Sequence, residues 1–478
     1  MTASPLSFRD PGGRLIKAGG RLIRAVNPTG RPNLDAYLSS AAVREFVRTG
    51  RVIGARLLDA VAAADLRSTW DDGALTEGAE GAALVEHERL FESFPYEWPL
   101  EMLHAAGALT LDLAEALLAE GLGLKDATPY NVLFQGSEPI FVDVLSFEAR
   151  HAGDPTWLPY GQFVRTFVLP LLVGKHLGLP LDQLLLARRD GLEPSEVYRL
   201  CGPLRRLRPP FLTAVSLPVW LAACRPQSDP AVYRERRLAD PERARHVLRA
   251  LLKHLRRILA AAAPPPSASS RWSDYAVARE TSTPAYAAAK QALVDAVLAE
   301  RRPRNVLDVG CNTGRFSVQA ARGGAAVVAI DADPAVVGAL WREARGAGLD
   351  ILPLVVDLAR PSPAVGWRNA ECRAFLDRAR GAFDTVLMLA VAHHLLVGEQ
   401  IPLSEIVSLG AQLGTRTLIV EFVAPADPMF RRLARGRDAL FADLTRERFE
   451  AECRREFTVA ACRQVAEARW LYVLDRRG

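Results

Sequence analysis

Five short apolar runs in the second half of the chain do most to limit what it can fold into. They are NVLDVG (305–310), AVVAID (326–331), ILPLVV (351–356), FDTVLMLAV (383–391) and TLIVEFV (417–423). Each is short and nearly continuous in apolar character, the pattern of a strand buried on both faces. Helix-patterned segments separate them, so the order predicts a parallel sheet covered on both sides. Two further runs, EFTVAAC (456–462) and WLYVLD (470–475), are joined by a short connection and predict a closing antiparallel hairpin. The expected class is α/β, with a seven-stranded, mostly parallel sheet.

The first half reads differently. It opens with a near repeat, GRLIKAG (13–19) and GRLIRAV (20–26), whose alternation and glycines predict a β-hairpin. From about residue 35 to 125 the pattern is mostly helical, and LTLDLAEALLAEGLG ends a helix at glycine. VLRALLKHLRRILA (247–260) carries the apolar repeat of an amphipathic helix, with its basic residues off the stripe. The AAAPPPSASS that follows cannot pack, because proline fixes extended backbone and serine offers no apolar surface. A linker at 261–271 therefore divides a first unit, 1–260, from a second, 272–478.

The turn VLDVGCNTGRFS (306–317) follows the first strand of the second unit. A dinucleotide turn has the spacing G-x-G-x-x-G. Here Gly310 and Gly314 are four apart with Asn312 between them, and the next position in that register is Arg315, so the fit is poor. Asp308 ends the strand and can accept from amides of the loop. Gly310 and Gly314 permit positive φ and close approach, and Asn312 tolerates left-handed backbone. Asp331 ends the second strand 23 residues later, near the spacing for a carboxylate on ribose hydroxyls. Asp357 follows the third strand, where it can reach an adenine amino group. His393 and His394 follow the fourth, and Glu421 lies at the end of the fifth.

These residues resemble the class I S-adenosylmethionine-dependent methyltransferases, whose first motif is D-x-G-x-G-x-G. Asp308, Gly310 and Gly314 are kept and Asn312 replaces the middle glycine. The resemblance covers about 272–478 and implies a Rossmann-like sheet with S-adenosyl-L-methionine as cofactor. It implies that the turn lies against the amino-acid part, with Asp331 on the ribose and Asp357 near adenine. Methyl transfer needs alignment, exclusion of water and, for a hydroxyl or amine, removal of a proton. His394 is the first candidate for that task and His393 the second, with Glu421 a further residue on the acceptor side. Tyr275, Arg279 and Lys290 precede the first strand, where a cation could meet a cofactor carboxylate or simply be solvated. The arginines of DPMFRRLARGRDALFADLTRERFE (427–450) could form a lid or a solvated face.

A second signature lies in LKDATPYNVLFQGSEPIFVDVLSFE (124–148), where Asp126 and Asn131 are five apart and Asp143 ends a strand. This resembles the catalytic segment of protein-kinase-like and aminoglycoside-phosphotransferase-like folds. The resemblance implies an α+β kinase-like first unit in which Asn131 and Asp143 would share magnesium and Asp126 would act as base on a Mg-ATP reaction. Leu124-Lys125 replaces the usual His or His-Gly, and no glycine-rich phosphate loop is evident, so a degenerate unit for acceptor binding or scaffolding is expected. The two-part arrangement is similar to bacterial methyltransferases associated with host-specific nodulation proteins, which implies a carbohydrate or specialised-metabolite acceptor.

Composition sets the remaining limits. The 478 residues exceed one ordinary core, and 60 basic against 55 acidic side chains give a net charge of only +5. That excess does not by itself indicate nucleic acid, and a small-molecule acceptor is expected instead. Six cysteines show no C-x-x-C spacing, and no metal site is expected outside the kinase-like segment. The first residues lack the order of a secretory signal and no uncharged stretch reaches membrane-spanning length, so the expected location is the cytoplasm. FLTAVSLPVWLAAC (211–224) is too short to span and reads as a buried helix, with an interfacial helix as the alternative. The expected function is methyl transfer. The alternatives are a kinase-like phosphotransferase, or a non-catalytic binding protein with a regulatory nucleoside site.

Overall fold

The computed structural model describes residues 4–5, 9–18, 20–69, 82–224, 237–265 and 284–477. In the first half, the repeated segment forms the hairpin β1 (Gly13–Ala18) and β2 (Arg21–Val26), and β3 (Ala83–His87) pairs with β2. The expected helical run from 35 to 125 is thus interrupted: ALVEH is a short apolar segment that the edge of β2 captures as a strand. Helix α1 (Leu100–Ala119) follows, closed by Gly121 at φ +71°. It is long and apolar enough to cross a membrane, but most of it is buried inside this fold.

Beyond α1 come β4 (Leu122–Leu124), β5 (Val132–Gln135), β6 (Glu138–Phe141) and β7 (Phe147–Ala149). They form two antiparallel pairs, β4 with β7 and β5 with β6. Helix α2 (Pro241–Ala261) places Leu248, Leu252, Leu255, Ile258 and Leu259 inward, as its repeat predicts. It runs into the segment expected to be linker, and Ala262 is fully buried, so packing continues past 260. Residues 266–271 of that linker, with Tyr275 and Arg279, lie outside the described residues.

The second half holds α3 (Pro284–Arg301), β8 (Asn305–Val309), α4 (Arg315–Arg322), β9 (Ala326–Asp331), α5 (Pro334–Ala347), β10 (Ile351–Val355), β11 (Phe383–Met388), α6 (Leu403–Leu413), β12 (Gly414–Val423), α7 (Arg446–Glu456), β13 (Phe457–Ala466) and β14 (Arg469–Arg476). The strands form one seven-stranded sheet in the order β10-β9-β8-β11-β12-β14-β13. The first five are parallel, and β14 joins antiparallel to both β12 and β13.

Alternate residues of these strands enter two different cores, which is why the runs look continuously apolar. Val306, Val327, Ala329 and Leu387 pack beneath Val294 of α3 and Val318 of α4. Leu307, Ile330, Leu352 and Leu354 belong to the other core, which extends without a break into Leu103, Phe134 and Phe141 of the first half. The junction also has polar ties: Trp341 Nε1 donates to Ser137 O at 3.0 Å, and Arg378 is buried against Glu97.

Candidate active site

The sheet order reverses between β8 and β11, where loops at the carboxyl ends diverge and leave a crevice. A cavity of about 560 Å³ lies there, its wall including Asp308, Gly310, Asn312, Asp331, Asp357 and His394. That volume is in the range of small-molecule sites. The first loop is built on three left-handed residues, Gly310 (φ +66°), Asn312 (+51°) and Gly314 (+87°). A Cβ on Gly310 would stand 2.4 Å from Val391, and one on Gly314 2.1 Å from Leu340 of α5. Gly310 is thus required at the cavity wall, whereas Gly314 lets α4 and α5 pack closely.

Asp308 is buried and accepts from Ser317 Oγ at 2.6 Å, fastening the strand end to α4. Burial pushes its carboxyl up to about 6. Asp331 accepts from the amides of Asn312 (2.9 Å) and Asp333 (3.0 Å), so one carboxylate bridges the first and second loops. A carboxylate has about four acceptor positions, which leaves capacity for ligand hydroxyls. The cap of α5 is Asp333, whose Oδ1 accepts from Ala335 N at 2.9 Å. Asp357 accepts from Ala359 N at 2.9 Å and pairs with Arg360 at 2.8 Å, and Arg360 reaches Glu399 across the rim.

The fourth loop begins at Ala390, a non-glycine residue at φ +62°, a strained conformation of the kind that clusters at ligand sites. It sets the two histidines differently. His394 lines the cavity; His393 is turned into the protein, its ring centroid 4.3 Å from that of His394. Both ring nitrogens of His393 are buried and have no hydrogen-bond partner among the described residues. Burial, aided by His394 and Arg469, holds its imidazole well below the usual histidine range and therefore neutral.

Glu421 does not line the cavity. It is fully buried behind the wall and accepts from Tyr286 Oη (2.6 Å), Lys290 Nζ (2.8 Å) and Arg469 Nη1 (3.0 Å). Burial alone would raise its carboxyl, but Lys290 and Arg469 outweigh that and lower it to about 2. Arg469 is itself held bidentately by Asp427, at 2.7 and 2.9 Å. Lys290 and Tyr286, four apart on one face of α3, carry this network to the cavity wall. Burial disfavours the Lys290 ammonium, yet Glu421 reverses the balance and raises its pKa. Arg431 and Arg432 of Pro428–Ala434 are exposed, while Leu433 of that helix reaches the wall.

Sequence reasoning missed Tyr286, Asp427, Leu433 and Arg469. The four-residue step from Tyr286 to Lys290 on an apolar helix was a usable signal. Nothing local marks Arg469, whose partners lie 42 and 48 residues away.

A sheet of this order, with a glycine turn and carboxylates at successive strand ends, defines a class I S-adenosylmethionine-dependent methyltransferase. Residues 307–407 match the methyltransferase domain family. Over 488 aligned residues the chain is 30% identical to nodulation protein NoeA of Rhizobium meliloti (strain 1021), covering 98% of this chain and 95% of that one. The chain belongs to the NoeA family. Among solved structures, N-methyltransferase NodS from Bradyrhizobium japonicum WM9 is 16% identical over 37% of this chain and 87% of its own, with a TM-score of 0.28. The bifunctional kinase-methyltransferase WbdD is 19% identical over 38% of this chain and 36% of its own, with a TM-score of 0.27.

Proposed function

We propose that the cavity at the β8–β11 crevice binds S-adenosyl-L-methionine and serves methyl transfer to a small-molecule or carbohydrate acceptor. The observation that carries this reading is Asp331, a carboxylate on the cavity wall that already orders the glycine turn and keeps acceptor capacity to spare. Asp331 would take the ribose hydroxyls, Asp357 would lie by the adenine, and the Gly310–Asn312 backbone would lie along the methionine part. The charged Lys290, held by Glu421, suits the carboxylate of that part. Bound there, the cofactor supplies an electrophilic methyl on sulfur.

The chain's own work is then positional and protolytic. His394 at the wall accepts the proton of an incoming hydroxyl or amine. His393 supports the His394 ring from behind, and Glu421 acts by positioning Lys290 and Tyr286. The modest net charge, +5 on 478 residues, supports a small acceptor over nucleic acid, and a cytoplasmic location suits six cysteines scattered without disulfide or metal spacing. Methylation of cell extract with isotopically labelled donor tests this reading. His394→Ala should slow transfer at least about a hundredfold with donor affinity unchanged; wild-type turnover would remove His394 from its role.

A second reading concerns residues 1–260 as a kinase-like unit. The β4–β7 and β5–β6 pairs bring Asp126, Asn131 and Asp143 into one region: Val142 N donates to Asn131 O at 2.8 Å, and burial, with Asp143 nearby, raises the Asp126 carboxyl. Yet Arg24 Nη1 stands 3.5 Å from Asp143 Oδ1, an internal cation facing the carboxylate that would serve magnesium. Asp143 thus already has a cationic partner within the chain, which supports a scaffolding or acceptor-binding unit joined to a transferase unit at 272–478. Magnesium-dependent ATP binding lost in Asp143→Ala would reverse it.

A further inference from the structure

The segment from Pro194 to Ala223 has no part in the site above, and its surface is unlike the rest of the protein. Six of the twelve exposed large hydrophobic side chains among the described residues fall within 200–221: Leu200, Leu204, Leu207, Leu217, Trp220 and Leu221. Leu204 is 74% exposed and Leu221 58%. Scattered single apolar residues are ordinary on a surface, whereas a concentration of them marks an interaction site.

Three short helices, Pro194–Leu200, Pro203–Arg206 and Leu217–Ala223, carry five of these side chains, Leu207 following the second, and Tyr198 ties them together. Its hydroxyl accepts from Trp220 Nε1 at 3.3 Å, its carbonyl accepts from Arg206 Nε at 2.9 Å, and the Arg206 guanidinium lies 3.9 Å over its ring. Leu217, Trp220 and Leu221 are spaced to share one helix face. The helical turn that leads into it, Leu212–Ser216, buries Ala214 and Val215 beside the buried Phe211, so the segment 211–223 is half core and half exposed rather than the buried helix its composition predicts.

The charge is equally one-sided. Residues 194–223 contain four arginines, Arg199, Arg205, Arg206 and Arg208, against one carboxylate, Glu196, which is paired with Arg188. Beside Leu204 lies a cavity of about 600 Å³ whose wall includes His176, Arg205 and Arg208 and, among the described residues, no carboxylate. Leucine and tryptophan next to arginine, with basic side chains well in excess of acidic ones, is the composition of surfaces that sit in the lipid headgroup region. Arginine there lays its apolar stem along the lipid and its guanidinium against phosphate.

We infer that the 194–223 surface docks this protein on anionic lipid bilayers, with the exposed leucines and Trp220 entering the interface and the Arg205–Arg208 cavity taking an anionic headgroup. Docking of this kind is peripheral and needs no membrane-spanning helix. It is independent of the methyl-transfer reading.

The test is co-sedimentation of the full chain with vesicles of phosphatidylcholine alone or with one third phosphatidylglycerol. Binding should require the anionic lipid and weaken as salt rises. Arg205→Gln with Arg208→Gln should lower partitioning about thirtyfold. Leu204→Ser with Leu221→Ser should also release the protein, and both pairs are at the surface, so unchanged circular dichroism and thermal midpoint will show the fold intact. Three results would each overturn the inference: no binding to anionic vesicles, equal binding to both lipids, or binding that survives both double variants. A protein dimer that the leucine variant dissociates, without vesicle binding, would assign the surface to a second copy instead.

Discussion

Single residues divide into those that face the ligand and those that hold them in place. Glu421 belongs to the second group, because three donors consume it and none of it reaches the cavity. Removing its charge leaves Lys290 and Arg469 as buried cations short of a partner, a class of change that costs about 3–5 kcal/mol. Glu421→Gln should therefore lower the thermal midpoint by several degrees at pH 7. The pH dependence has a definite sign. The folded carboxyl lies near 2 against an ordinary 4.5, so its stabilisation is complete above 4.5 and fades as pH falls toward 2. Wild type and Glu421→Gln should converge in stability across that window. A gap that stays constant between pH 6 and pH 3 would contradict the ion-pair account.

Most elements of the second half were legible because six of the seven strands bury both faces, the exception being the largely exposed edge strand β13. A strand with two dry faces shows its position as an apolar run, and all seven runs are strands within a few residues of their expected bounds. The repeat of α2 was readable for the same reason, one face being apolar throughout. What was not legible depends on partners distant in sequence. The strand Ala83–His87 is set by its neighbour β2, and the half-exposed helix ending at Ala223 by a surface that composition alone presents as core. At the site, Asp331, Asp357 and His394 were marked by their places after strands, while Arg469 and Asp427 are joined only by the fold. The join between halves has one test at this scale. Trp341→Phe keeps the ring in the core but loses the bond to Ser137 O, and should cost about 1–2 kcal/mol. An unchanged midpoint in denaturant would show that bond to be immaterial.

The whole molecule has a continuous core from α1 through β5 and β6 into one face of the large sheet. Inter-domain contacts are commonly smaller and more polar. Here the first half supplies part of the covering that a parallel sheet requires. Scanning calorimetry should accordingly give a single unfolding transition for the full chain, and two well-separated transitions would instead mean independent domains. The crevice at β8 and β11 is positioned by this assembly, and the central claim is that it holds the methyl donor. The most direct measurement is isothermal titration of the full chain with S-adenosylhomocysteine. Binding at one equivalent, weakened at least about tenfold by Asp331→Ala with the fold retained, is the result expected from the loss of a charged hydrogen-bonding partner. No heat of binding in the wild type, or an affinity indifferent to Asp331, would contradict it.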